Sequence, residues 1–150
     1  MKHLIFSLMM TVAAGFAFGQ AQNPVSWSYT AVKKSADTYE IVLTAELEKP
    51  WHIYSQNTGK GGPIPTSIVF KANPLIVKNG AVKERGKLEK TFDDNFKTNV
   101  LYYSDKVEFV QTVKVKGGIR TNVSGTVEYM VCDDSRCLPP VKKSFDLKLM

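Results

Sequence analysis

The run Tyr39-Glu40-Ile41-Val42-Leu43-Thr44-Ala45-Glu46-Leu47 decides the fold class. Tyr39, Ile41, Leu43, Ala45 and Leu47 recur at every second position, and Glu40, Thr44 and Glu46 fall between them. A period of two sends the apolar set to one face of a strand and the polar set to the other, which a helix cannot do. The alternation extends outward in both directions. Val25, Trp27, Tyr29 and Ala31 precede it; Val107, Phe109, Val113 and Val115, then Val123, Val127, Tyr129 and Val131, then Val141, Phe145, Leu147 and Leu149 follow. Shorter strand candidates cover residues 51–54, 67–71, 75–78, 87–92 and 100–103. Breaks fall at turn chemistry: Lys49-Pro50, residues 59–65, Asn73-Pro74, Asn79-Gly80 and Gly117-Gly118. No segment carries a convincing helical stripe. Eight or so strands in about 130 residues predict an all-β, immunoglobulin-like antiparallel sandwich, with a small barrel as the second choice.

Composition fits a globular domain: 43% of the 150 residues are hydrophobic and 23% charged, too apolar for a disordered tail. Lys and Arg outnumber Asp and Glu by 20 to 14, but Arg85, Arg120 and Arg136 are the only arginines. Base and phosphate recognition leans on arginine, so a nucleic-acid partner is disfavoured. There is no internal repeat, low-complexity tract or linker. The first residues read differently from the rest. Lys2 and His3 precede an apolar run from Leu4 to Phe18, then small residues around Ala17 and Gly19. This is the plan of a cleaved secretory signal peptide over residues 1–21, with cleavage after Gly19 or Ala21. The run is shorter than the roughly 20 residues a spanning helix needs, and neither cleavage site exposes a cysteine for lipidation. A single domain over residues 22–150, without stable membrane insertion and in an oxidising compartment, a periplasm by preference, is expected.

In such a compartment Cys132 and Cys137, the only cysteines, decide the chemistry. A strand runs into Cys132, Asp133-Asp134-Ser135-Arg136 suits a turn, and a second strand leaves after Cys137. Residues bounding a four-residue hairpin loop sit with Cα atoms about 4.5–5.5 Å apart, within reach of a disulfide. For a secreted protein the plain reading is a staple. Yet closing so short a loop is worth only roughly 2 kcal/mol, and a domain of this size buries enough apolar surface without it. Exchange chemistry therefore stands beside stapling as an open alternative. Two thiolates with His52 would make an incomplete zinc set, a weak signal. A Cys–His nucleophile is weaker still, because the second cysteine would trap the first. Gly-Lys-Gly-Gly within residues 55–66 lacks the spacing and following helix of a P-loop, so that stretch reads as a flexible surface loop.

The neighbours divide the labour. A thiolate is favoured by cations and disfavoured by anions. Arg136 precedes Cys137 while Asp133 and Asp134 follow Cys132, so Cys137 is the expected attacking thiol and Cys132 the resolving one. Pro139 and Pro140 lack N–H donors and should hold the chain beside Cys137 at a sheet edge.

With these residues set out, Val131-Cys132-Asp133-Asp134-Ser135-Arg136-Cys137-Leu138-Pro139-Pro140 resembles the cysteine hairpin of the periplasmic N-terminal domain of DsbD-type thiol:disulfide interchange proteins. Phe92-Asp93-Asp94-Asn95-Phe96-Lys97, followed by Tyr102-Tyr103, is similar to that family's acidic, aromatic cap loop, and Pro50-Trp51-His52-Ile53-Tyr54 to its aromatic segment beside the active site. The resemblance implies an immunoglobulin-like fold and a redox-active Cys132–Cys137 pair. It implies a cap of Asn95 and Phe96 and a wall of Trp51, His52, Tyr54, Arg136 and Pro139, with no cofactor and no metal. It also implies a thioredoxin-like, membrane-linked electron donor and periplasmic acceptor proteins. Core packing competes with the cap role for Phe96 and with the wall role for Trp51 and Tyr54; for His52 a structural role competes with assistance in proton transfer. The cysteine spacing is slightly shorter than in a well-known member of that family. The usual membrane helices and thioredoxin-like domain do not follow Met150, so the donor is expected to be a separate protein. The competing function is a binding module with a structural disulfide, docking an envelope partner through an edge strand.

Overall fold

The computed structural model describes residues 23–94 and 96–150. The leader expected over residues 1–21 and Asn95 of the expected cap lie outside them. Among the described residues nine strands follow one another: β1 Val25–Lys33, β2 Thr38–Leu47, β3 His52–Tyr54, β4 Ser67–Phe70, β5 Ile76–Asp93, β6 Thr98–Val115, β7 Thr121–Tyr129, β8 Val131–Cys132 and β9 Val141–Leu149. A 3-10 turn at Lys116–Gly118 replaces the expected Gly-Gly turn, with both glycines at positive φ. One sheet runs β1-β2-β6-β3-β8 with β5 also on β6, and the other runs β4-β7-β9. Every strand pair is antiparallel. The fold is an immunoglobulin-like β-sandwich.

The core is the alternation made solid. Tyr39, Ile41, Leu43, Ala45 and Leu47 of β2 all face it, joined by Val107, Phe109, Val113 and Val115 of β6 and by Val123, Val127 and Tyr129 of β7. Trp27 and Tyr29 of β1 pack against it with Phe145 and Leu149 of β9; the Trp27 ring lies 6.0 Å from Phe109 and 5.2 Å from Tyr129, centroid to centroid. Aromatic payloads of this size dominate the burial term.

The separate strands expected at 75–78 and 87–92 are one strand, β5, and those at 100–103 and 107–115 are likewise one, β6. Together they form a long hairpin whose register runs from Ile76↔Val115 to Asp93↔Thr98. The turn expected at Asn79-Gly80 is instead a bulge, with pairing resuming at Lys83. Gly80 supplies the positive φ of 72°, and Gln111, buried opposite, donates its Nε2 hydrogens to the carbonyls of Asn79 and Gly80. A turn dipeptide inside a paired strand is thus absorbed as an extra loop of backbone. A second register shift, between Gly86 and Leu88, occurs where the Tyr103 ring crosses Gly86, since a Cβ there would stand 3.1 Å from Tyr103 Cδ1.

Residues 123–131, expected as one strand, divide between the two sheets. The chain changes sheets at Met130: β7 ends at Tyr129 in the three-stranded sheet, and Val131 and Cys132 pair with Ile53 and His52 of the other. Val131 stays in the core between the sheets, while Met130 and Cys132 join a separate cluster with Tyr54 and Val100. The sequence run looked continuous because alternation is blind to which sheet a strand joins.

Residues 55–66 were expected to be a flexible surface loop; instead they are held at several points. Glu84 accepts hydrogen bonds from Ser55 Oγ and the Gln56 N–H, each at 2.7 Å, and from Tyr103 Oη at 2.7 Å. Thr58 Oγ1 accepts from the Leu101 N–H, and Thr66 Oγ1 donates to the Tyr54 carbonyl. The loop is therefore pinned along the middle of the β5–β6 hairpin, between Glu84 and Leu101.

Candidate active site at the cysteine hairpin

The register places the chemistry on one outer face. His52 is the Cα partner of Cys132 on one side and of Ser104 on the other, and Tyr54 is the partner of Tyr102. Because side chains alternate, His52, Tyr54, Tyr102 and Cys132 project together away from the core that holds Ile53, Tyr103 and Val131. The His52 ring packs 4.7 Å from that of Tyr102 and edge-on to Tyr54 at 5.3 Å, and its Nε2 lies 3.2 Å from Tyr54 Oη.

Cys132 and Cys137 form a disulfide across an antiparallel bridge with Cα atoms 4.0 Å apart, closer than the 4.5–5.5 Å expected. The turn between them is drawn tight. Asp133 Oδ1 accepts from the N–H groups of Ser135 and Arg136 and from Ser135 Oγ, and the Asp133 N–H donates to the Arg136 carbonyl at 2.9 Å. Those backbone donors, Ser135 first and then Arg136, hold the Asp133 carboxyl below the usual carboxylate range. The two sulfur-bearing residues differ sharply in access: Cys132 is 2% exposed, whereas Cys137 is on the surface. Beyond Cys137, Leu138 packs against the core while Pro139 and Pro140 are exposed. The expected edge position is found, because β8 ends its sheet.

Of the expected wall, Trp51 is buried in the main core and offers its ring face to Arg136, whose guanidinium carbon lies 5.6 Å from the centroid. Arg136 Nε is also 3.7 Å from Asp133 Oδ2. Phe96 packs against the cluster of Tyr54, Val100, Met130 and Cys132. It rides on the tip of the β5–β6 hairpin, where its N–H donates to Asp93 Oδ1, Lys97 takes a φ of 54° and pairs with Asp94. Between tip and cysteine turn lies a cavity of about 310 Å³ lined by His52, Phe92, Asp93, Asp94, Tyr102, Asp133 and Asp134 among others. Burial lowers the His52 pKa, partly offset by the charges of Asp134, Asp93, Asp133 and Glu89. Burial, reinforced by Asp93, raises that of Tyr54 far above the phenol range.

Val100, Met130 and Glu84 support the site without any local sequence signal that assigns them that role. Met130 stands two residues before Cys132, the spacing that shares a face, but the continuous run masked it; nothing local marks Glu84. Among the described residues no group of three or more His, Cys, Asp and Glu side chains is placed to hold a metal, and both sulfurs of the zinc alternative are in the disulfide.

Fold and site together define an immunoglobulin-like sandwich that carries, on an edge hairpin, a disulfide between a buried and an exposed cysteine. The family model described as thiol:disulfide interchange protein DsbD, N-terminal, matches residues 20–149, and the chain belongs to this family. Its Cys132–Cys137 disulfide accords with a general role in thiol–disulfide exchange. Solved structures agree on the fold. The reduced N-terminal domain of DsbD from Neisseria meningitidis superposes with a TM-score of 0.56 at 19% identity, over 83% of this chain and 84% of that one. The N-terminal periplasmic domain of ScsB from Proteus mirabilis gives 0.59 at 18% identity, over 85% of this chain and 47% of that one. The complex between the DsbD and PilB N-terminal domains of Neisseria meningitidis gives 0.51 at 12% identity, over 80% of each chain. No curated protein matches the sequence. No helix among the described residues is long and apolar enough to cross a membrane.

Proposed function

We propose that the mature chain, residues 22–150 after removal of the leader, is a periplasmic protein-disulfide reductase. It passes reducing equivalents from a membrane-linked, thioredoxin-like donor to oxidised periplasmic proteins through Cys132 and Cys137. The observation that carries this is the unequal exposure of the two bonded cysteines at a sheet edge, Cys132 buried and Cys137 on the surface. A staple has no need of an exposed partner, whereas exchange requires one sulfur that another protein can reach.

A donor thiolate attacks Cys137, Cys132 leaves as the thiolate, and a second donor thiol releases the donor as its own disulfide. In the delivering direction Cys137 attacks the acceptor disulfide and Cys132 resolves the mixed disulfide. Two electrons and two protons move each time. Phe96, packed against the Cys132 cluster, acts as a cap that must swing aside for docking, and Asn95, its neighbour in sequence, shares the cap role; Trp51, His52, Tyr54, Arg136 and Pro139 form the surrounding wall. The complex of a DsbD N-terminal domain with a PilB domain supports a second protein domain as the partner.

Cys132→Ala is expected to accumulate mixed disulfides through Cys137 in cells, and Cys137→Ala to accumulate far fewer. A reduction potential near roughly −200 mV for the pair agrees with exchange, whereas one well below about −300 mV would mark a structural bond and sink the proposal.

A further inference from the structure

We propose that His52 is the proton acceptor for Cys132 when Cys132 acts as the resolving thiol. The inference rests on the exchange reading above and deepens it. Cys132 resolves only as a thiolate, and its surroundings oppose that charge. It is almost fully buried, and Asp133 and Asp134 follow it directly; desolvation and nearby anions both favour the neutral thiol. A base within the site removes the obstacle. His52 is the residue directly opposite Cys132 across the β3–β8 ladder, and side chains so paired have Cβ atoms about 4.5–5.5 Å apart on the same face.

The groups that face His52 suit a base that must be neutral before the step and charged after it. Tyr54 lies on its own strand, Tyr102 and Ser104 on β6, Cys132, Asp133 and Asp134 on the cysteine hairpin, and Glu89, Asp93 and Asp94 on the β5–β6 hairpin. Burial keeps the resting imidazole unprotonated at neutral pH, and the carboxylates stabilise the imidazolium once it forms. Lys97 pairs with Asp94, and Arg136 with Asp133 and the Trp51 ring, so the charges of Asp134, Asp93 and Glu89 act beside those two pairs. Tyr54 Oη, 3.2 Å from Nε2, holds the ring in place.

The step balances. With Cys137 joined to a partner sulfur, the Cys132 S–H proton passes to the imidazole and the thiolate attacks Cys137 Sγ. The Cys132–Cys137 bond forms, the Cys137–partner bond breaks, and the partner departs as a thiolate. The protein dithiol is oxidised, the partner disulfide reduced, and the imidazolium returns its proton to the partner thiolate or to water.

The test mixes the reduced mature chain with excess of an aromatic disulfide whose released thiolate is coloured. The first release, dependent on reagent concentration, reports Cys137 attack; the second, independent of it, reports resolution by Cys132. Loss of the first release in Cys137→Ala, and of the second in Cys132→Ala, assigns the phases. Absence of both phases from the wild-type chain refutes the exchange reading itself. With both present, the rate of the second phase should show an inflection below pH 6.5, and His52→Gln should remove it and slow that phase at least about tenfold at pH 7. Slowing with the inflection retained would assign His52 a structural role and overturn the proposal, as would an unchanged rate. Should His52→Gln not fold, the wild-type inflection is compared with the His52 imidazole titration followed by NMR in the reduced protein. Agreement supports the proposal; a mismatch overturns it.

Discussion

At the scale of single residues, the cysteines are alike in sequence and unlike in place. Arg136 beside Cys137 and the aspartates beside Cys132 already separated their chemistry, and the structure adds burial of one and exposure of the other. What no local pattern revealed is that His52, 80 positions before Cys132 by their residue numbers, is its ladder partner. His52 also gives the folded state a pH dependence. Burial holds its pKa below the ordinary value of about 6.5, so between the two values the unfolded chain binds the extra proton. Stability is then complete above about pH 6.5 and declines as the pH falls through that window. Denaturant unfolding of the oxidised protein between pH 7 and 5 should show this decline, and His52→Gln should flatten it by up to about 1.4 kcal/mol per pH unit. Asp37, Glu40 and Asp133, whose pKa values are lowered by hydrogen bonds, act in the lower carboxylate window and leave this comparison clear.

At the scale of elements, the β5–β6 hairpin builds the site. Its proximal half, Ile76 to Gly86 against Val107 to Val115, belongs to the sandwich, and its distal half carries Asp93, Asp94, Phe96 and Lys97 over the cysteine face. The apolar periodicity of both halves was legible, but their continuity was not: the Asn79-Gly80 pair reads as a turn, and only the partner strand, with Gln111 filling the bulge, shows it to be paired on both sides. The anchored loop at residues 55–66 escaped for a similar reason, since its hold on Glu84 spans 28 to 29 residues. If Phe96 caps the disulfide, Phe96→Ala uncovers it. Reduction of the oxidised protein by a small dithiol should then accelerate roughly three- to tenfold, about 0.7–1.4 kcal/mol of barrier, with little change in the denaturation midpoint. An unchanged rate would return Phe96 to a packing role.

At the scale of the whole molecule, the core and the disulfide are separate devices. The two sheets bury the Trp27, Phe109, Tyr129 and Phe145 aromatics between them, while Cys132 lies in a satellite cluster on the outer face of one sheet. Opening a loop this short should therefore cost only about 2 kcal/mol. Reductant is expected to lower the unfolding free energy by that amount while leaving a single cooperative transition. A loss beyond about 4 kcal/mol, or a non-cooperative reduced state, would mean that the bond is a staple.

The sequence by itself determined the strand class, the inward-facing residues of β1 and β2 and, in β9, Phe145, Leu147 and Leu149 though not the exposed Val141, the turn between the cysteines and the opposite charges beside them. These follow from period-two alternation and nearest-neighbour chemistry, which local residues carry. Only the tertiary structure decided which sheet each strand joins, that the chain crosses between sheets at Met130, and that His52, Phe96 and Cys132 share one face. Those are matters of long-range register, and a strand's own alternation fixes its two faces without naming its neighbour.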